Sequence, residues 1–186
     1  MPTFPFTRDD RVWVLSFSRS PAENAALIAA LRGRDVKQIV YVSSSSTIVS
    51  EQTDCYEYPR AKAQAEKAAL AAPNARVLTI GLMHESVDEL PAGACVSTRY
   101  DTLADFIASP DWGDDGSRRK LLFEVVHRPM RSVAERVAYR WYGRALRQCG
   151  AYPCLLRPAD LLLRAFGVRW YGYVYLSNAL WISTTS

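Results

Sequence analysis

The sequence predicts an α/β protein with a parallel sheet, and three observations carry that prediction. Apolar runs of strand length recur at residues 11–17 (RVWVLSF), 36–42 (VKQIVYV) and 76–82 (RVLTIGL). Helical patterns fill the intervals, so strand and helix alternate at the spacing of parallel strands joined by right-handed crossovers. The second run is apolar without a break, as suits a parallel strand covered on both faces.

Taken in order, the first strand is followed by Ser20-Pro21-Ala22-Glu23, which supplies an N-cap, a proline at the first helical position and a capping-box glutamate. The helix carries Ala26, Leu27, Ala30 and Leu31 on one face and stops near Gly33. The second strand ends in the serine cluster Ser43, Ser44, Ser45 and Ser46. A loop leads to a helix opening on Tyr58-Pro59-Arg60-Ala61-Lys62, running to about residue 72 and closed by Pro73-Asn74. The third strand follows, after which the pattern loosens. Residues 91–94 (PAGA) read as a turn, residues 97–101 lead into a short helix through Ile107, and residues 112–119 form a polar surface loop. Residues 121–126 (LLFEVV) read as another strand. A second strong helix covers residues 131–149, with a capping box at Ser132 and Glu135 and helical spacing of Val133, Val137, Trp141, Ala145 and Leu146.

Chemistry concentrates between the second and third strands. Tyr58 and Lys62 lie four apart, on one face of a helix. A serine cluster at a strand's carboxyl end sets hydroxyls at the mouth of an open sheet, where ligands of such sheets sit. A phenol near pKa ~10 is a poor base at neutral pH, but an adjacent ammonium favours the phenolate. A serine hydroxyl can hold the reacting oxygen in line.

Composition narrows the classes. A chain of 186 residues, 49% hydrophobic and 23% charged, has the length of one domain with a real core. Its net charge of +4 is too mild for a nucleic-acid binder but suits anionic small molecules. Cys55, Cys95, Cys149 and Cys154 form no CxxC pair and only His84 and His127 accompany them, which argues against a metal site or a disulfide framework. Reduced thiols in a cytoplasmic protein are the simpler reading. The N-terminal residues lack the pattern of a secretory signal. The apolar tail, residues 155–181, is interrupted by Arg157, Asp160, Arg164 and Arg169, so it offers no transmembrane segment of ~20 apolar residues.

At Tyr58 and the strand before it, the sequence resembles the short-chain dehydrogenase/reductase superfamily. The closer likeness is to its extended branch of nucleotide-sugar epimerases and dehydratases. IVYVSSSST followed by YPRAK looks like that branch's strand-plus-YxxxK arrangement. The resemblance implies a truncated Rossmann-like parallel sheet with flanking helices over residues 1–110. A small C-terminal α-rich substrate lobe over residues 111–186 would pack on it as one unit. It implies an NAD- or NADP-dependent epimerase or dehydratase acting on a nucleotide sugar. Tyr58 would be the acid/base, and Lys62 would lower its pKa and hold the nicotinamide ribose. The hydroxyl partner would be Ser44, Ser45 or Ser46, with Ser45 the best positional match. Ser43 and Ser44 would join Tyr58 and Lys62 around the cofactor. Ser46, His84, Arg140, Arg144 and Arg157 would contact the substrate.

Several stretches stay open to two readings. Arg136, Arg140, Arg144 and Arg147 form a basic stripe at helical spacing, either a solvated face or a diphosphate clamp. His84 and Glu85, at a strand's end, are acid/base candidates or ordinary hydrogen-bonding residues. Asp160 is placed to pair with Arg164 across a helical turn. The aromatics and arginines of the tail read as core with a sugar-contacting edge, or as a membrane-surface contact.

The sequence also departs from the resemblance. No GxGxxG or GxxGxxG occurs, and the first of the nine glycines is Gly33. Aligned on YxxxK, the chain lacks about three strands' worth of cofactor site. Phe17 and Arg19 are bulky where a pyrophosphate needs glycines, although residues 16–20 precede a helix N-terminus and so offer a weak anion site. After the third strand the chain reads Gly81-Leu82-Met83-His84-Glu85, where the family has Arg or Pro followed by Asn. Three expectations follow: a minimal nucleotide-sugar enzyme, a non-catalytic relic, or an unrelated α/β module with its phenol in solvent. In the relic, an open sheet edge would recruit a second copy or a partner chain that completes the sheet.

Overall fold

The computed structural model describes residues 6–8, 10–14, 20–32, 36–112, 116–148 and 155–185. Its centre is a five-stranded sheet in the order β1 (Phe6–Arg8), β2 (Arg11–Val14), β3 (Gln38–Ser44), β4 (Ala75–Ile80) and β7 (Arg119–Leu122). Strands β2, β3, β4 and β7 run parallel, so the α/β class with a four-stranded parallel sheet and flanking helices holds. β1 pairs antiparallel with β2, Phe6 opposite Trp13 and Arg8 opposite Arg11. β1 thus lies on the side where the resemblance leaves strands missing, and is itself the outermost described strand there.

Strand alternation divides the core between the two faces. Val12, Val14, Ile39, Tyr41, Ala75 and Val77 meet α1 (Pro21–Arg32) and α2 (Glu57–Leu70), which pack on each other through Ile28, Leu31, Ala65 and Ala69. Trp13, Val40, Val42 and Leu78 point to the other face, where Phe106 of α3 (Tyr100–Ala108) covers them. The small alanines of α2 let that helix lie close to the sheet, which fixes where Tyr58 and Lys62 emerge. α1 starts as predicted, with Glu23 N donating to Ser20 Oγ at 3.4 Å.

Two expected strands are each divided by a change of sheet. The run at residues 76–82 ends at Ile80, and the chain re-forms as β5 (Leu82–His84) in a second sheet. The run at 121–126 belongs partly to β7 and partly to β8 (Glu124–Arg128). The second sheet has the order β5, β6 (Gly93–Arg99), β8, with β5 parallel and β8 antiparallel to β6. Strand β6 leads directly into α3, and its Ser97 and Thr98 are buried. Thr98 ties the two switches together: Gly81 N donates to its Oγ1 at 2.8 Å, and that hydroxyl donates to Leu122 O. A Cβ on Gly81 would stand 2.6 Å from the Ser97 backbone, so only glycine permits this crossing.

The C-terminal part is helical: α4 (Val133–Gln148), α5 (Leu156–Ala165) and α6 (Gly172–Thr185). Their core joins Ala138, Tyr142, Leu156, Leu163, Tyr175 and Leu176 to Val49 in the 3₁₀ helix Ser45–Glu51. α4 opens on the foreseen capping box, Glu135 N donating to Ser132 Oγ at 3.1 Å and Ser132 N to Glu135 Oε2 at 3.2 Å. Among the described residues no helix is long and apolar enough to cross a membrane. The loop at residues 15–19, with its anion-site expectation, lies outside the described residues, as do Cys149 and Cys154.

Candidate functional site

Tyr58 stands in the first turn of α2, and Lys62 one turn on, both facing the carboxyl end of β3. There Ser43, Ser44, Ser45 and Ser46 close the strand and begin the 3₁₀ helix. Together with Gly81, Leu82 and Met83 after β4, and Trp170, Tyr173, Val174, Ser177 and Asn178 at α6, they line a cavity of about 340 Å³. The parallel sheet thus brings the serines, the phenol and the ammonium to one place, at the strand ends where open sheets bind ligands. The phenol points toward the serines, not into solvent.

The hydroxyl that meets Tyr58 is Ser44, whose hydrogen bond draws the phenol's pKa down. Burial acts the other way and dominates, leaving Tyr58 above the ordinary tyrosine value. Ser45, favoured by position in the sequence, also lines this cavity, and its carbonyl accepts from Trp181 Nε1 at 2.8 Å. Ser46 Oγ lies 2.9 Å from Ser44 Oγ, and Ser46 N donates to that same oxygen at 3.2 Å. Ser44 is therefore the hub of the cluster. Ser43 is buried with its hydroxyl unpartnered.

Lys62 is 5% exposed. Its Nζ donates to Val42 O at 3.2 Å and sits 5.2 Å from the centre of the Tyr41 ring. Burial pulls its pKa down to about 8, and the charge of Glu66 one turn further opposes that fall. Glu66 is itself buried and receives Arg119 Nη1 at 2.8 Å from the neighbouring strand β7. Tyr41 is pushed up by burial, then by the charges of Glu66 and Tyr58. The expectation was a lysine that lowers the phenol's pKa. In this structure the dominant influence on both groups is loss of water, which favours neutral phenol and neutral amine alike.

A second cavity of about 440 Å³ shares Tyr58 and Tyr173 with the first and is bordered by Tyr56, Arg157, Asp160, Leu161, Arg164 and Tyr171. Tyr58 stacks on Tyr173 at 5.5 Å, Tyr173 on Tyr171 at 5.8 Å, and the Arg164 guanidinium lies 4.3 Å over Tyr171. Tyr171 and Tyr173 of the tail build this aromatic wall. Arg157 belongs here, its Nε donating to Cys55 O at 3.0 Å. Asp160 accepts from the Tyr142 hydroxyl and from Gly172 N at 3.1 Å, with burial raising its pKa. The expected Asp160–Arg164 relation survives as a charge effect, Arg164 opposing the rise in the Asp160 pKa while its guanidinium lies over Tyr171.

Three further expectations are corrected. Arg140 and Arg144 are exposed on α4 and line a separate cavity with Tyr139 and Tyr175, away from Tyr58. His84 is 2% exposed, with neither ring nitrogen hydrogen-bonded, because pairing of β5 with β6 turns it inward. It does not line the Tyr58 cavity, whereas its neighbours Leu82 and Met83 do. Glu85 is exposed and its N–H donates to Glu89 Oε2 at 3.2 Å. Comparison of the chain with protein-family models, curated proteins and solved structures gives no match. What fold and site define is an α/β protein with a buried serine–tyrosine–lysine cluster at the carboxyl end of its parallel sheet.

Proposed function

We propose that this chain is an epimerase- or dehydratase-like protein of the short-chain dehydrogenase/reductase kind, taking a nucleotide sugar into the Tyr58 cavity. The observation that carries the reading is the convergence of Ser44, Tyr58 and Lys62 on one cavity at the carboxyl ends of β3 and β4. In this reading Ser44 fixes the orientation of the phenol, and Tyr58 gives or takes a proton at a sugar hydroxyl. Lys62 supplies a nearby ammonium near neutral pH. The neighbouring cavity, with Arg157 and Arg164 beside stacked tyrosines, suits the charged and flat parts of a nucleotide.

The resemblance implies NAD or NADP, whose nicotinamide end would lie among Tyr58, Lys62, Ser43 and Ser44. The residues do not fit a complete dinucleotide. The Tyr58 cavity, about 340 Å³, is at the small end for ligand sites. At the start of α1 the Glu23 N–H is already taken by Ser20 Oγ at 3.4 Å. The chemistry assigned to this chain is therefore the proton step alone. The same misfit favours a second reading, a family relic that binds the nucleotide sugar without turning it over.

Calorimetric titration with NAD⁺, NADH, NADPH and a panel of nucleotide sugars separates these readings. The enzyme reading expects nucleotide-sugar binding, dinucleotide binding and a turnover that Tyr58→Phe abolishes while the fold persists. Sugar-nucleotide binding without a dinucleotide site supports the relic. Binding of neither class, or full turnover by Tyr58→Phe, ends the proposal.

A further inference from the structure

Charge is divided along this chain. Residues 128–186 hold nine arginines, no lysine and two carboxylates, a balance of +7 that leaves −3 on residues 1–127. Both carboxylates face inward. Glu135 receives Arg128 at 2.6 Å and the start of α4, and Asp160 is buried against Tyr142 and Gly172. Among the described residues of this segment no carboxylate side chain is exposed.

α5 sorts its residues within this basic region. Leu156, Asp160 and Leu163 are buried, while Leu161, Leu162 and, just past the helix, Phe166 are 73%, 61% and 69% exposed. Arg157, Arg164 and Arg169 are exposed around them. Single exposed leucines are ordinary, but adjoining large apolar side chains ringed by cations mark a contact surface.

We propose that the outer face of α5, with the turn after it, docks on an anionic lipid bilayer. Leu161, Leu162 and Phe166 enter the headgroup layer, and Arg157, Arg164 and Arg169 meet lipid phosphates. Charge complementarity selects this occupant. A second copy of the same face, related by a two-fold axis, would set arginine against arginine, with Glu57 the one exposed carboxylate among the described residues that border the neighbouring cavity. A bilayer presents negative charge and an apolar layer together. The attachment is peripheral, since no described helix is able to span. Arg157, Leu161, Arg164 and Tyr171 also border the cavity that ends at Tyr58, so docking sets its mouth at headgroup level. None of this depends on the reaction proposed above.

The test is co-sedimentation of the purified chain with vesicles of phosphatidylcholine plus phosphatidylglycerol, and with phosphatidylcholine alone. Binding to the anionic vesicles, weakening as salt rises, is expected. Leu162→Asn with Phe166→Asn should lower partitioning roughly tenfold or more, because both insert apolar surface. Arg169→Gln should lower it roughly fivefold, the effect of one charge near an anionic surface. These side chains are exposed, so thermal melts of the variants should match wild type, and a variant that melts early is replaced by Leu161→Asn. No binding, equal binding to both vesicle types, or wild-type partitioning by the apolar variants overturns the proposal. So does sedimentation velocity showing a dimer that those substitutions dissolve.

Discussion

Replacing Lys62 with methionine should stabilise the protein at neutral pH and remove that advantage in alkali. The unfolded lysine titrates at 10.5, whereas burial holds the folded one at about 8. That gap corresponds to about 3 kcal/mol against the folded state while the ammonium is kept. The sign follows from proton counting: between the folded and unfolded values the unfolded chain binds the extra proton, so wild-type stability rises with pH across that window. Methionine fills similar volume without charge, but it forfeits the 3.2 Å hydrogen bond to Val42 O, worth about 1 kcal/mol. Lys62→Met should therefore be more stable than wild type by about 2 kcal/mol near pH 7 and lose that lead toward pH ~10. Urea unfolding of both proteins at intervals over this range measures the difference. The alkaline titration of the buried tyrosines is common to both and cancels. A variant destabilised at pH 7, with a difference that stays flat as pH rises, would refute the claim that the ammonium is held at a cost. If the proposed proton chemistry operates, the stabilised variant should also lose turnover.

Two further substitutions probe the helical part. Gly172→Ala would set a Cβ 2.4 Å from Asp160 Oδ1 and 2.5 Å from both Tyr142 Cε1 and Tyr56 Oη. The clash should cost roughly 2 kcal/mol and lower Tm by roughly 6 °C in a thermal melt. Glu135→Ala removes the acceptor of Arg131 N at 2.7 Å, Ser132 N at 3.2 Å and Arg128 Nη2 at 2.6 Å. Its loss should cost roughly 2 kcal/mol in urea unfolding. Glu135→Gln should recover part of this, because the amide oxygen still caps α4 without the charge that holds Arg128.

Local signals made much of the architecture legible. The apolar run through β3, the Ser20-Pro21 start of α1 and the Ser132–Glu135 capping box each act within a few residues, and each element formed where those signals placed it. The switches at Gly81 and Phe123 left no such trace. Both depend on Thr98, far along the chain, binding Gly81 N and Leu122 O together. A run such as RVLTIGL reads as one strand until a distant hydroxyl divides it.

The candidate site shows the same division. Sequence alone set Tyr58 and Lys62 on one helix face and the serines at a strand end, since spacing along a helix and position in a strand are local geometry. Tertiary structure decided that Ser44 meets the phenol, because which hydroxyl of the cluster is reached depends on how α2 packs against the end of β3. It also buried His84, drew Arg140 and Arg144 away from Tyr58, and stacked Tyr173 on that phenol with Tyr171 behind it. The lowered pKa of Lys62 belongs to tertiary structure too. It arises from exclusion of water by strands and helices that meet only when the whole chain folds, and no spacing of residues encodes how dry a place will be.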